Sequence, residues 1–238
     1  MDLRHFKALT FDCYGTLIDW ESGIVTALQP LLARVAPPLT RDAVLESFAR
    51  HETRLEKAHP RMLYRELLTH VHDALADDWG VATSATESRR FGQSVGDWPA
   101  FDDTEAALRY LQLHYRLVIL SNVDRASFRA SKLRLGVTFD AICTAEDVGS
   151  YKPDPRNFTY MVEQLATMGI ARSRILHTAQ SLFHDHAPAN DAGIASAWID
   201  RRHDASGWGA TSAPPASVHY DFRFTGLAEM VQAHQAAQ

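Results

Sequence analysis

Several polar residues of this chain stand where short apolar runs give out, and their types could do chemistry together. Asp12 ends Lys7-Ala-Leu-Thr-Phe and is followed by Gly15 and Thr16. A carboxylate at that place, with loop N–H groups and a hydroxyl around it, can act as a nucleophile. The plainer role for such an Asp is to cap the next helix. Ser121 and Asn122 end Arg116-Leu-Val-Ile-Leu. A hydroxyl and an amide there can hold an anionic group, or simply build a turn. Lys152 sits in Ser150-Tyr-Lys-Pro-Asp-Pro, on a loop stiffened by two prolines. A lysine reaching Asp12 would keep it ionised, because an opposite charge within about 4–6 Å lowers a carboxyl pKa. Asp185 follows a further apolar run, flanked by His184 and His186. Two histidines one residue apart, without a third ligand, are a weak zinc signal.

The elements that must position these groups follow from hydrophobic periodicity. The segment Lys7–Asp12 reads as a buried strand opening into a turn. From Trp20 to about Trp98 the apolar residues recur at helical spacing, with breaks at Pro37-Pro38 and His59-Pro60. Beyond Pro99, four more apolar runs read as strands, centred on Val118, Ile142, Leu176 and Ala197. Helical patterns lie between them. One spans Ser127–Leu135 and stops at Gly136. Another, Phe224 to Gln235, closes the chain. Asp204–Ser217, rich in Gly, Ser, Ala and Pro, reads as a surface loop. Alternation of strand and helix implies a parallel sheet covered on both faces, with ligands at the carboxyl ends of the strands. Asp12, Ser121-Asn122, Glu146-Asp147 and the stretch from Gln180 to Asp185 all fall there.

Bulk properties narrow the partners. Hydrophobic residues make up 46% of the 238 and charged residues 22%, ordinary for a globular protein. A net charge of −5 offers no pull toward nucleic acid or an anionic membrane, while leaving a small anionic substrate open. Two cysteines in a chain of this size point away from a disulfide framework and toward a reducing compartment. The first residues carry charges where a signal peptide needs an apolar run, and no stretch reaches the length of a membrane span. A cytoplasmic location is the expectation.

Taken in order, Asp12-Cys-Tyr-Gly-Thr-Leu, Leu120-Ser-Asn, Tyr151-Lys-Pro-Asp-Pro and the strand-end acid Asp185 resemble the four motifs of the haloacid-dehalogenase superfamily. The resemblance implies an α/β fold: a doubly wound, Rossmann-like parallel sheet core over 1–19 and 99–238. A helical cap domain, 20–98, would be inserted after the first strand. Most of that superfamily are magnesium-dependent phosphatases, with Asp-x-Asp in the first motif and a metal-binding Asp in the fourth. Tyr14 and Gln180 stand at those places here. Magnesium is usually held through carboxylates. A phosphatase acting on a small phosphomonoester would therefore need another ligand, such as Asp147 or Asp191.

The Asp-x-Tyr-Gly-Thr and Tyr-Lys-Pro-Asp patterns look instead like the 2-haloacid dehalogenases. That resemblance implies hydrolysis without a cofactor, Mg²⁺ belonging to the phosphatase alternative. Asp12 would displace halide from a 2-haloalkanoate, and water would hydrolyse the resulting ester. Lys152 would orient and charge-stabilise Asp12, and Asp185 would support Lys152 and the water. Tyr14, Thr16, Ser121 and Asn122 would contact substrate. The cap arginine of that family falls on Arg50, with Arg54 as second choice. Gln180, Leu182 and Phe158 depart from the family's usual Ser, Asn and Tyr. The resemblance admits a homodimer. A non-catalytic scaffold is a third option, against which the pairing of Asp12 with Lys152 speaks.

Overall fold

The computed structural model describes residues 2–238. At its centre lies β1 (Ala8–Phe11), buried at every position. Strands apolar on both faces belong in the interior of a parallel sheet. Its neighbours are β2 (Arg116–Ser121) and β4 (Ile175–Ala179); β3 (Ala141–Thr144) lies outside β2. Beyond β4 come β5 (Ala195–Ile199) and β6 (Phe222–Phe224), giving the order β3-β2-β1-β4-β5-β6 with every pairing parallel. β6 is a strand that periodicity alone did not reveal. It has three residues, too few for an alternation to register.

The chain grows outward one way through β1, β2 and β3, and the other way through β4, β5 and β6. Between β1 and β4 the order reverses, which is where a ligand crevice opens in such sheets. Phe11 pairs with Ile119 on one side and Thr178 on the other. That register brings Asp12, Ser121-Asn122 and Gln180 out at one edge.

Between β1 and β2 the chain forms α1 (Trp20–Leu32), α2 (Arg41–Ala58), α3 (Tyr64–Asp78) and α4 (Ala85–Gly92). Side-chain caps start three of them: Asp19 accepts from the Ser22 N–H, Thr40 from that of Ala43, and Ser84 pairs reciprocally with Glu87. The stripe Val44, Leu45, Phe48 and Leu55 on α2 packs into one apolar cluster with Leu67, Leu68, Val71 and Leu75 of α3, continuous with Leu9 and Phe11 of the sheet. The chain leaves and rejoins the core at one spot. The Asp19 N–H donates to the Pro99 carbonyl at 2.8 Å, the Phe101 N–H to the Leu17 carbonyl at 3.1 Å, and Ile18 bridges to Ala100.

The remaining helices are α5 (Thr104–Leu111), α6 (Arg125–Lys132), α7 (Ala145–Val148), α8 (Pro155–Thr167), α9 (Ala187–Asp191) and α10 (Leu227–Ala236). α6 begins earlier than its apolar pattern predicts, because the Asp124 carboxylate caps the Ala126 and Ser127 N–H groups. Asp124 also receives the backbone N–H and guanidinium of Arg65, tying α3 to the sheet. Asp204–Ser217 contains no helix or strand, as its composition predicts.

Candidate active site

Asp12 is the first residue past β1, and its N–H still extends the ladder to the Thr178 carbonyl at 3.1 Å. Gly15, at φ 94°, turns the chain back in a conformation that side chains disfavour. The Thr16 hydroxyl then donates to Asp12 Oδ2 at 2.8 Å and accepts from the Gln180 N–H at 2.9 Å. A hydroxyl has one hydrogen, so Thr16 has none left for a substrate. In this arrangement Thr16 positions Asp12. Arg201 holds the same loop, donating to the Thr16 carbonyl while bridging both oxygens of Asp103.

Lys152 reaches the floor of the crevice from the loop before α8 and is 1% exposed. Its ammonium donates to Asp12 Oδ1 at 2.9 Å, Asp185 Oδ1 at 2.6 Å and the Leu120 carbonyl at 2.9 Å. All three hydrogens are placed. Asp185 Oδ1 also pairs with His177 Nε2 at 2.9 Å, and His177 Nδ1 lies 2.8 Å from the Thr10 hydroxyl. The Asp185 carboxylate oxygen accepts, so Nε2 donates to it. Asp185 Oδ2 is buried with no partner among the described residues.

Burial works against the charge on Lys152, but Asp12 and Asp185 overrule it and hold the ammonium above its ordinary range. Burial also opposes ionisation of Asp185, and there Lys152 and His177 prevail, keeping its carboxyl well below the usual range. Asp12 goes the other way. Burial, helped by the charge of Asp185, pushes it up against the pull of Lys152 and Thr16. A carboxylate so desolvated is more basic, and a better nucleophile, than one in water.

Asp12, Tyr14, Ser121, Asn122, Lys152 and Asp185 all line one cavity of about 40 Å³. That is room for a few water-sized groups. The Ser121 hydroxyl is buried without a partner and is free to meet a ligand. Asn122 is not. Its amide donates to Glu56 and to the Lys152 carbonyl, and its oxygen accepts the Lys152 N–H at 2.6 Å. Both amide hydrogens and the oxygen of Asn122 are thus engaged within the chain, where they position the Lys152 loop. Tyr14 offers its ring to the cavity, with its hydroxyl 2.8 Å from that of Ser131.

Arg50, expected over the substrate, does not line this cavity. It pairs with Asp78 at 2.7 Å on the outer face of α2, its side chain 59% exposed and remote from the cavity. Arg54, one turn on, is exposed as well and lies 3.3 Å from His51 Nδ1. The face of α2 that does meet the cavity carries Glu52 and Glu56, both buried. Tyr64 of α3 donates to Glu52 Oε1 at 2.5 Å.

His177, Glu52, Glu56 and His184 are thus residues of the site that motif reading left without this role. His184 lies in a π-helical turn, Leu182–His186, that replaces the simple helix start expected there. The Ser181 hydroxyl accepts the His184 N–H at 2.9 Å and lies 3.3 Å from Nδ1, leaving Nε2 buried and unpartnered. Burial presses the imidazole down to about 4, so it is neutral at pH 7. His186 faces elsewhere, toward the Ser196 hydroxyl and the Ala179 carbonyl.

A family model of haloacid dehalogenase-like hydrolases matches residues 6–178. The chain belongs to that family. Among curated hydrolases it is 27% identical over 215 residues to the (S)-2-haloacid dehalogenase H-109 of Pseudomonas putida, covering 84% of this chain and 88% of that one. Its fold is that of the L-2-haloacid dehalogenase PA0810 (TM-score 0.78, 22% identity, 97% and 99% of the two chains). It is equally that of the L-2-haloacid dehalogenase from Xanthobacter autotrophicus with chloropropionic acid covalently bound (TM-score 0.78, 18% identity, 97% and 98%). These hydrolases share the sheet with this chain; the acidic face of α2 is a property read from this chain itself.

Proposed function

We propose that this hydrolase cleaves the carbon–halogen bond of a small 2-haloalkanoic acid, giving a 2-hydroxy acid through an ester on Asp12. The observation that carries the reading is the buried Lys152 ammonium, placed between Asp12 and Asp185 at the cavity floor. An Asp12 oxygen attacks the halogen-bearing carbon, the C–O bond forms as the carbon–halogen bond breaks, and halide leaves with the electron pair. Water then adds to the ester carbonyl and Asp185 Oδ2, which has no other partner, takes its proton. Lys152 donates to Asp12 Oδ1 and Thr16 to Oδ2, so whichever oxygen remains the ester carbonyl keeps a donor as it gains charge in the tetrahedral step. Collapse expels the 2-hydroxy acid, whose alkoxide recovers the proton from Asp185; water's second proton, left on the Asp12 carboxyl, passes to solvent, and Asp12 is restored with one oxygen from water. The Tyr14 ring and the Ser121 hydroxyl flank the bound acid. Residues 20–98 act as a cap over a core made of 1–19 and 99–238.

A magnesium phosphatase fits these residues poorly. Where further acids would bind the metal stand a phenol directed at Ser131 and the neutral Gln180. Both floor carboxylates are already bonded to the Lys152 ammonium, and a divalent ion there would bring like charge beside it. The two cysteines, Cys13 and Cys143, are free and buried, which supports the cytoplasm as the location. No helix among the described residues is long and apolar enough to cross a membrane.

The covalent step has a direct test. In one turnover of 2-chloropropionate in H₂¹⁸O and EDTA, with enzyme in excess, halide is released, the hydroxy acid stays unlabelled and the Asp12 peptide carries the heavy oxygen. Label found in the product, with none in Asp12, would overturn the ester and leave Asp12 as a general base. Loss of halide release in EDTA, restored by Mg²⁺, would return the protein to the metal-dependent branch.

A further inference from the structure

In an in-line displacement the leaving group departs on the far side of carbon from the nucleophile. Asp12 rises from the strand ends, so halide must leave toward α2. The side chains waiting there are Glu52 and Glu56, one turn apart on the same face. Lys152 is the one lysine or arginine among the described residues that line the cavity, and its hydrogens are fully engaged at the floor. No cation is left for the halide, or for the two glutamates.

The hydrogen bonds of the pair supply the rest. In each carboxyl one oxygen accepts: Glu52 Oε1 from the Tyr64 hydroxyl, Glu56 Oε1 from the Asn122 amide. Neither Oε2 accepts a hydrogen bond from a described residue; that of Glu56 lies 3.8 Å from the unpartnered His184 Nε2. One oxygen serving as a carbonyl and the other open is the pattern of a neutral carboxylic acid whose O–H awaits an acceptor. An ionised pair would set two more negative charges beside Asp12 and Asp185 with one ammonium among four, which burial forbids.

We propose that Glu52 and Glu56 act as a pair of carboxylic acids that donate hydrogen bonds to the departing halide, in the role a cap cation would otherwise fill. The proposal rests on the haloacid reading above. The protons stay on the glutamates and the halide leaves as a hydrogen-bonded anion. His184 Nε2 lies beside them with no hydrogen-bond partner among the described residues.

The surroundings agree with the neutral form. Burial pushes Glu52 up to about 8, and burial with the charge of Glu52 pushes Glu56 well above its ordinary range. Facing them are the phenols of Tyr64 and Tyr151, both driven far up by burial, neutral His184, and the Asp12–Lys152–Asp185 cluster. The Asn122 amide and the Lys152 charge favour the charged form of Glu56, and together they are outweighed.

Halide release from 2-chloropropionate should therefore fall as pH rises through about 8. In Glu52→Gln and Glu56→Gln the amide remains a donor at every pH. Those variants run slower at neutral pH but hold their rate through the alkaline range. Glu56→Ala, with no donor, loses roughly a hundredfold in kcat, as for deletion of one preorganised donor. An alkaline decline unchanged in both Gln variants, or Gln variants as poor as Ala at every pH, overturns the proposal.

A second measurement needs no turnover. Calorimetry of propionate binding in buffers of different ionisation heat should detect proton uptake above pH 8 in the wild type, and none in the double Gln variant. Binding without proton uptake, or no binding at all, counts against the acid pair. Failure of the wild type to release halide from any 2-haloacid sinks the haloacid reading instead, and calorimetry then decides the acid pair alone.

Discussion

At the floor of the cavity one ammonium and two carboxylates are buried together; at its roof two carboxyls are buried with no cation. The floor keeps its charges by pairing them, with every Lys152 hydrogen on an oxygen and His177 bracing Asp185. The roof escapes the same desolvation penalty by giving up its charge, each glutamate held by one neutral donor. The two solutions suit opposite tasks. A nucleophile must stay ionised while buried, whereas a group meeting a departing anion must not be negative.

The contrast is broken most severely at Lys152. Lys152→Met leaves Asp12 and Asp185 facing each other without a counter-charge, so one of them must take up a proton. We expect kcat for halide release to fall at least about a thousandfold, and stability to fall by about 3–5 kcal/mol as for one partner removed from a buried pair. Single-turnover kinetics and urea unfolding read the two effects. Near-normal turnover in a folded variant would detach Lys152 from the chemistry.

A smaller effect sharpens the roof. Folded Glu52 binds its proton up to about pH 8, against an ordinary value of 4.5. Between those values the folded state holds more protons than the unfolded one, so stability is lost as pH rises through the window. His184 acts in the opposite sense, losing stability as pH falls from about 6.5 toward 4. The glutamate slope therefore reads cleanly from pH 6.5 upward. Thermal unfolding across that range should show a declining Tm in the wild type and a flatter line in Glu52→Gln. A rising Tm in the wild type would mean an ionised roof.

The smallest effect belongs to Arg50, outside both regions. Arg50→Ala should leave kcat/KM unchanged and stability within about 0.5–1 kcal/mol, the worth of an exposed ion pair. A large loss of kcat/KM would put a guanidinium back over the cavity.

Arg50 also explains where sequence reading stops. It was placed by distance along the chain, but a helix turns about 100° per residue, so positions two apart lie on nearly opposite sides. Arg50 and Arg54 share the outer face, and Glu52 and Glu56 share the inner one. The signal was present: Glu52 and Glu56 continue the stripe of Leu45, Phe48 and Leu55, where periodicity asks for apolar residues. Acids on an apolar stripe are buried for a reason. Asp12, Ser121 and Lys152 were legible because a polar residue at the end of an apolar strand, or on a proline-stiffened loop, stands out against its neighbours. His177 did not, since it lies within β4, where a buried histidine gives no sign that Asp185 will fold back on it. What Thr16 and Asn122 hold within the chain is hidden from the sequence for a different cause. Their chemical types were right for a ligand, and only the hydrogen-bond geometry reveals that other groups of the chain already occupy them.

The two places where the chain crosses between sheet and helices lie side by side and are hydrogen-bonded, Asp19 to Pro99 and Leu17 to Phe101. A single crossing would let the helices swivel freely. A paired crossing behaves as a strap that resists twist and leaves bending as its compliant motion. The same strap fixes the rotational setting in which Glu56 Oε1 meets the Asn122 amide.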